Sequence, residues 1–144
     1  LPCSNLDESI AFYRGLFGTD AMVVKHDYAK WELSSPAIHF SLVRTDGDVK
    51  PNGSQHFGIQ VAGPEVLDQW RSRWREAGLR VDDEDGVVCC YAKQDKGWAV
   101  DPDGHAWEIF ATEHAVLDAP NLANQPKADE AAAERSCCPV ECCN

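Results

Sequence analysis

Two adjacent cysteines lie in a polar stretch of the chain, where their thiols could carry out chemistry. They are Cys89 and Cys90, within "GVVCCYAKQDKGW", residues 86–98. Three roles are open to such a pair: packing in the interior, a redox switch, or binding of a soft metal or metalloid. Gly86 and the run Lys93–Gly97 predict an exposed loop that could close over a ligand, and the lysines in it would lower the pKa of the thiols. We therefore favour the binding role.

The other cysteines support free thiols over disulfides. The chain has seven cysteines, and apart from Cys3 they fall in three adjacent pairs. Neighbouring cysteines cannot easily bridge to each other without strain, so this pattern is a poor disulfide framework. It favours a reducing compartment, and the lack of a signal-peptide pattern favours the cytoplasm.

A histidine and a glutamate on two predicted strands form a second candidate group. In "QHFGIQV", residues 55–61, His56 alternates with the apolar side chains and points to the opposite, more polar face. In "DPDGHAWEIF", residues 101–110, Glu108 faces away from Trp107 and Ile109 in the same manner. Taken singly, either residue could simply be solvated. Together with a third protein ligand, an imidazole and a carboxylate would leave open positions on ferrous iron. The remaining histidines are weaker candidates: His26, His39, His105 and His114.

The sequence predicts two copies of one structural module, and these modules must position the candidate residues. Asn5 caps a predicted helix that ends at Gly18, and Pro64 opens a second predicted helix that ends at Gly78. Short β-rich runs follow each helix: 21–25, 28–33 and 38–43 after the first, and 79–82, 90–93, 97–100 and 106–110 after the second. We predict an α+β fold of two βαβββ modules, about 1–45 and 54–111, in which the first strand is truncated.

Residues 112–144 differ in character from this predicted domain. They are acidic and rich in alanine, with few large apolar side chains, so we expect a largely disordered, flexible tail. The tail carries the last two cysteine pairs, which are candidate accessory thiols: Cys137, Cys138, Cys142 and Cys143. Three roles stay open for them, namely capture of soft ions and their transfer to the site, sequestration of soft metal, or no function.

Composition excludes two classes of partner. The formal net charge is −11, and no basic patch is evident, which argues against a nucleic-acid ligand. No apolar run approaches the roughly 18 residues that a membrane span requires. We expect neither nucleic acid nor membrane as a partner.

Several of these stretches together carry a family resemblance, which covers residues 1 to about 111. They are "LDESIAFYRGLFG", "DYAKWEL", "HFGIQV", "CCYAKQDKGW" and "DPDGHAWEIF". The chain resembles the vicinal-oxygen-chelate superfamily of glyoxalase I, bleomycin-resistance proteins and extradiol dioxygenases. Within that superfamily it is similar to the organoarsenical carbon–arsenic lyases and the cadmium-induced proteins. The resemblance implies the glyoxalase fold, with a metal at the mouth of the sheets.

The resemblance also implies a role for each candidate residue. His56 and Glu108 would be two of three Fe(II) ligands, and the third, a histidine or glutamine of the first strand, would precede Leu1. Cys89 and Cys90 would hold the trivalent arsenic of the substrate. The implied activity is dioxygen-dependent cleavage of methyl- or aryl-arsenicals with release of arsenite, by a non-haem iron enzyme.

Two other functions stay open from the sequence. The chain could be a cytoplasmic trap for cadmium or another soft metal without turnover, since it has more cysteine pairs than one active site needs. A glyoxalase-type isomerase is a third reading, although it would need neither thiol. Either a monomer or a homodimer is compatible with paired modules.

Overall fold

The computed structural model describes residues 1–51, 56–89 and 92–115, and they fold as two βαβββ modules. Both predicted helices are present, and each is followed by three strands. The first module consists of β1 (Pro2–Cys3), α1 (Leu6–Phe17), β2 (Val23–Val24), β3 (Tyr28–Ser34) and β4 (Ala37–Arg44). The second consists of β5 (His56–Val61), α2 (Pro64–Glu76), β6 (Asp82–Cys89), β7 (Ala92–Val100) and β8 (Ala106–Ala115).

The two sheets have the same topology, so the predicted repeat is confirmed. Their strand orders are β1-β4-β3-β2 and β5-β8-β7-β6. In each module the opening strand pairs in parallel with the closing strand, and the other pairs are antiparallel. This arrangement brings the strand that opens the second module against the strand that closes it.

Local sequence signals account for the helix boundaries. The Asn5 side chain accepts a hydrogen bond from the Glu8 amide at 3.4 Å, and Gly18 ends α1 in the left-handed conformation with φ of 70°. Pro64 begins α2, where its missing amide hydrogen costs nothing. Among the described residues, neither these helices nor any other segment forms a helix long and apolar enough to cross a membrane.

One apolar core joins the modules. Tyr13 and Phe40 of the first module both contact the Trp107 ring of β8, with ring centroids 5.7 and 5.6 Å apart. The Trp74 indole of α2 donates a hydrogen bond to the Leu16 carbonyl of α1 at 2.8 Å. The helices and both sheets therefore bury their apolar faces together.

The loop predicted at Gly86 and Lys93–Gly97 is wrong. Gly86 belongs to β6 and residues 93–97 belong to β7, which is an inner strand between β6 and β8. Its polar side chains misled the prediction, because one of them, Lys96, is buried by pairing with a carboxylate on β8. Residues 92–93 and 97–100, which were predicted as two runs, fall within the single strand β7, and residues 90–91 lie outside the described residues. Strand β8 continues to Ala115, so residues 112–115, predicted as tail, belong to a strand.

Candidate functional site

His56 and Glu108 lie next to each other on neighbouring parallel strands. His56 is the first residue of β5, and Glu108 lies on β8, two positions beyond the register partner of His56. The distance from His56 Nε2 to Glu108 Oε1 is 3.6 Å. Glu108 is only 8% exposed, so its charge lies largely out of water. The fold thus brings together the two residues that alternation placed on the polar faces of their strands.

Gly58 makes room for this carboxylate. It is the register partner of Glu108, and a Cβ atom built on it would lie 2.8 Å from Glu108 Oε1. Real Cβ atoms essentially never approach an oxygen so closely. The glycine therefore leaves the space in which the carboxylate rests against β5.

Lys96 is a third charged residue of the site, and sequence reasoning missed its position. Its Nζ lies 3.2 Å from Glu108 Oε2, and both side chains are buried. The pair is arranged so that one carboxylate oxygen meets the lysine while the other faces His56. The alternation of Gln94, Lys96 and Trp98 with smaller neighbours was the available signal, since it places these three on one face of β7.

Trp98 forms one wall of the site. It is the register partner of Glu108 on β7, and its ring stands edge-on to the His56 ring with centroids 5.3 Å apart. Its indole N–H donates to Glu84 Oε2 at 3.0 Å, which fixes the ring orientation. Lys96 Nζ lies 5.7 Å from the same ring. The imidazole is thus held between a fixed aromatic ring and a carboxylate.

The geometry of His56 and Glu108 suits two ligands of one metal ion. Ligand atoms about 2.1 Å from an ion and at right angles to each other lie about 3 Å apart, close to the observed 3.6 Å. Imidazole nitrogen and carboxylate oxygen are the donors that ferrous iron takes in sites with open positions. Within residues 1–51, 56–89 and 92–115, no third His, Cys, Asp or Glu completes a cluster with them. The residues present therefore fit two protein ligands of a metal site.

The thiol region lies at the far end of the same sheet. Cys89 is the last residue of β6 and pairs through its backbone with Ala92, whereas Cys90 falls outside the described residues. Six residue steps along β7 separate Ala92 from Trp98, the register partner of Glu108. At about 3.4 Å per residue this is roughly 20 Å. The fold does not place Cys89 beside His56 and Glu108. The tail cysteines at 137, 138, 142 and 143 also lie outside the described residues.

The other histidines occupy different surroundings. His39 is exposed on the first sheet and lies 2.5 Å from Glu32 Oε1, and His26 lies beside Asp27 in the β2–β3 turn. His114 belongs to β8. His105 is buried, with Nδ1 3.0 Å from Asp101 Oδ2.

His105 takes part in a buried polar network on the core side of the molecule. The Tyr13 hydroxyl donates to Asp101 Oδ2 at 2.7 Å and accepts from the Trp107 indole at 3.1 Å. Burial, and then the Asp101 charge, raise the pKa of Tyr13 far above its usual value. This network ties α1 to the turn before β8 and so supports the strand that carries Glu108.

Comparisons with known proteins give the same fold and add a chemical context. A family model for the Glyoxalase/Bleomycin resistance protein/Dioxygenase superfamily matches residues 1–109. The crystal structure of a glyoxalase/bleomycin resistance protein/dioxygenase from Alicyclobacillus acidocaldarius superposes with a TM-score of 0.63 at 18% identity, over 79% of this chain and 88% of that one. That likeness concerns the fold alone.

Relatives of known name are more similar in sequence. A trivalent organoarsenical cleaving enzyme of Bacillus sp. (strain MD1) is 45% identical over 117 residues, which cover 81% of this chain and 72% of the relative. Its counterpart in Thermomonospora curvata is 34% identical and covers 93% of this chain and 82% of its own. A cadmium-induced protein of Mycobacterium tuberculosis is 32% identical, covering 76% and 71%.

Proposed function

The chain belongs to the Glyoxalase/Bleomycin resistance protein/Dioxygenase superfamily, and on that premise we propose that it cleaves the carbon–arsenic bond of trivalent organoarsenicals. Relatives named trivalent organoarsenical cleaving enzyme, at 34 to 45% identity, support this choice of reaction. The structural observation that carries it is the 3.6 Å approach of His56 to the buried Glu108, in a chain that also has adjacent thiols. We place the activity in the cytoplasm, where thiols stay reduced.

His56 and Glu108 would hold the metal, which we propose is Fe(II). His56 would bind through Nε2 and Glu108 through Oε1, the two atoms that already face each other. Ferrous iron with open coordination positions supplies the means of activating dioxygen. Lys96 keeps the second carboxylate oxygen occupied, which favours binding through a single oxygen. The third ligand would come from the part of the first strand that precedes Leu1.

Cys89 and Cys90 would bind the substrate through its arsenic. Trivalent arsenic is soft and bonds strongly to thiolates, and two adjacent thiols chelate it with little further loss of entropy. For a methylarsenical, one molecule of dioxygen balances the reaction. One oxygen atom replaces carbon on arsenic to give arsenite, and the other leaves with the carbon as formaldehyde. The carbon loses four electrons to dioxygen while arsenic stays trivalent.

The separation of roughly 20 Å between Cys89 and Glu108 requires the β6–β7 hairpin to bend during this reaction. The strand pairing offers a place for the bend, because the register shifts between Glu84 and Val87. Gly86 lies in that interval with φ of 68°, and its amide donates to Asp95 Oδ1 at 2.7 Å. Bulges bend strands locally, so the hairpin beyond Gly86 would turn the thiols toward the His56 side of the sheet.

The test is an oxygen-dependent turnover measurement. The protein, in a form that includes the whole first strand, is incubated anaerobically with Fe(II) and a trivalent methylarsenical, and arsenite is quantified after oxygen is admitted. Arsenite should form only when both iron and oxygen are present. His56→Ala should abolish turnover and leave arsenical binding intact, whereas Cys89→Ala should weaken both. His39→Ala, which removes an exposed histidine of the first sheet, is the matched control and should behave like the wild type.

A second function is favoured by the cadmium-induced relatives at 32% identity and by the surplus of cysteine pairs. In that reading the protein traps cadmium or another soft ion without turnover. Tight binding of the methylarsenical with no arsenite in any condition would contradict the lyase and support the trap. Glyoxalase-type isomerase activity uses neither thiol, so Cys89→Ala would leave it unchanged.

A further inference from the structure

Arg71 is a buried cation on the opposite side of the second sheet from His56 and Glu108. It lies on α2 and is 6% exposed, and its side chain crosses Gly97 of β7. A Cβ atom on Gly97 would lie 3.1 Å from Arg71 Cγ. A glycine at this position therefore leaves space for the arginine side chain to lie across the strand. The guanidinium therefore reaches past β7 to the edge strand β6.

The guanidinium joins three elements at one level of the sheet. Its Nη2 donates to Asp85 Oδ1 at 2.7 Å and to the Lys96 carbonyl, and its Nε lies 3.4 Å from Asp83 Oδ1. Asp83 and Asp85 belong to β6, and Lys96 belongs to β7. One side chain thus ties α2 to both strands of the hairpin, with charge-assisted bonds from a guanidinium that is itself buried.

The contacts of Arg71 fall at the place where the hairpin leaves the regular sheet. Asp85 stands directly before Gly86, inside the register shift that separates Glu84 from Val87. Three residues beyond Gly86, β6 ends at Cys89. On the other face of β7, the side chain of Lys96 pairs with Glu108. Arg71 therefore holds the backbone between the thiol end of the hairpin and the carboxylate.

We propose that Arg71 is a positioning residue that sets the direction of the β6–β7 hairpin, and with it the approach of Cys89 to His56 and Glu108. The proposal rests on the proposed lyase function for its catalytic consequence, but not for its structural one. Arginine is required because its Nη2 meets Asp85 and the Lys96 carbonyl while its Nε faces Asp83, whereas a lysine has a single charged nitrogen. Among the described residues β6 pairs only with β7, so this anchor acts on an otherwise open edge.

The experiment compares backbone amide exchange and kinetics in three variants of the full chain. Arg71→Lys keeps the charge and loses the fork. Asp85→Asn removes the charge of one partner at a side chain that is 68% exposed, so this variant should still fold if Arg71→Lys does not. Arg75→Leu is the matched control, because Arg75 pairs with the same Asp83 but makes its ion pair in an exposed position.

Arg71→Lys should raise amide exchange at Val87 to Cys89 by about tenfold or more, and Asp85→Asn by about threefold. Arg75→Leu should change it by less than about twofold. Exchange in β3 and β4 should stay as in the wild type. An equal rise in β3 and β4, or no rise in the hairpin, would overturn the proposal.

Kinetic measurements test the catalytic part of the proposal about Arg71. The thiols still chelate arsenic in Arg71→Lys, so the Kd of a methylarsenical should stay within about twofold, while kcat should fall about tenfold because the chelate meets His56 and Glu108 less often. An active wild type with unchanged kcat in Arg71→Lys would overturn this half. If the wild type forms no arsenite, the proposed function fails, and the exchange measurement still decides the structural role of Arg71.

Discussion

Gly58 and Glu108 lie opposite each other in the parallel β5–β8 pair, and a Cβ atom on Gly58 would come within 2.8 Å of Glu108 Oε1. The glycine is required by this close approach and not by its backbone angles, since its φ is not in the left-handed region. The oxygen that Gly58 accommodates is the one that faces His56 at 3.6 Å. The space that the Glu108 carboxylate occupies beside His56 thus depends on Gly58, a residue without a side chain.

Gly58→Ala should displace the Glu108 carboxylate from His56. The side chain can yield, so the cost in folding free energy should be only about 1 kcal/mol. The affinity for Fe(II), or for Co(II) as a spectroscopic substitute, should fall at least about tenfold, because the two ligands no longer face one ion. Metal titration of the purified protein measures this. Gly63→Ala is the control, since a Cβ there meets nothing within 4 Å and its φ of 173° suits any residue. Unchanged metal affinity in Gly58→Ala would contradict the assignment of Glu108 as a ligand.

Lys96→Met should destabilise the metal-free protein by about 3 kcal/mol, because it leaves the buried Glu108 charge without its cation. A divalent ion bound at Glu108 would replace the missing charge, so added Fe(II) should recover part of the loss. Urea unfolding with and without the ion measures both effects. Lys30→Met removes a more exposed pair with Glu32 and should cost below about 1 kcal/mol. If Fe(II) stabilised the wild type and Lys96→Met equally, the ion would not be binding at Glu108.

The features that the sequence predicted are those with local signals. Asn5 and Gly18 mark the ends of α1 by their own chemistry, and the repeat follows from two such helices, each with strands behind it. His56 and Glu108 were predicted to meet because alternation gives the face of each strand, and a βαβββ unit places its first and last strands side by side.

The features that were missed depend on register between distant strands. A lysine in a polar run usually lies in water, and the burial of Lys96 follows only once β8 places Glu108 beside it. Trp98 and Arg71 were missed for a similar reason, since they lie on β7 and α2 while their partners Glu84 and Asp85 lie on β6. The predicted loop was wrong because two of its polar side chains, Asp95 and Lys96, have partners within the sheet.

Stability should fall at alkaline pH because of Tyr13. Burial and the adjacent Asp101 raise the pKa of Tyr13 in the folded protein, whereas an unfolded tyrosine ionises near pH 10. Above that pH the unfolded chain releases a proton that the folded protein keeps. The free energy of unfolding should therefore be constant with respect to this group below pH 10, and fall by about 1.4 kcal/mol per pH unit above it. Unfolding in urea between pH 8 and pH 11 measures the slope.

Tyr13→Phe gives the control for this slope. The variant loses the hydrogen bonds to Asp101 and from Trp107, so it should be less stable at pH 8 but lose less stability between pH 10 and pH 11. Tyr28→Phe, on β3, should keep the slope of the wild type. An unchanged slope in Tyr13→Phe would assign the alkaline loss to other groups.

Removal of residues 116–144 tests whether the tail thiols supply arsenical to the site. A chain that ends at Ala115 keeps β8 whole. If the tail cysteine pairs capture the arsenical and pass it to Cys89 and Cys90, their tether raises the local concentration of substrate. Truncation should then raise the arsenical concentration for half-maximal rate several-fold and leave kcat unchanged, because the catalytic residues are intact. The full chain with serine at positions 137, 138, 142 and 143 should behave like the truncated one, which separates loss of thiols from loss of the tail itself. Unchanged kinetics of both variants at low substrate would rule out the hand-over.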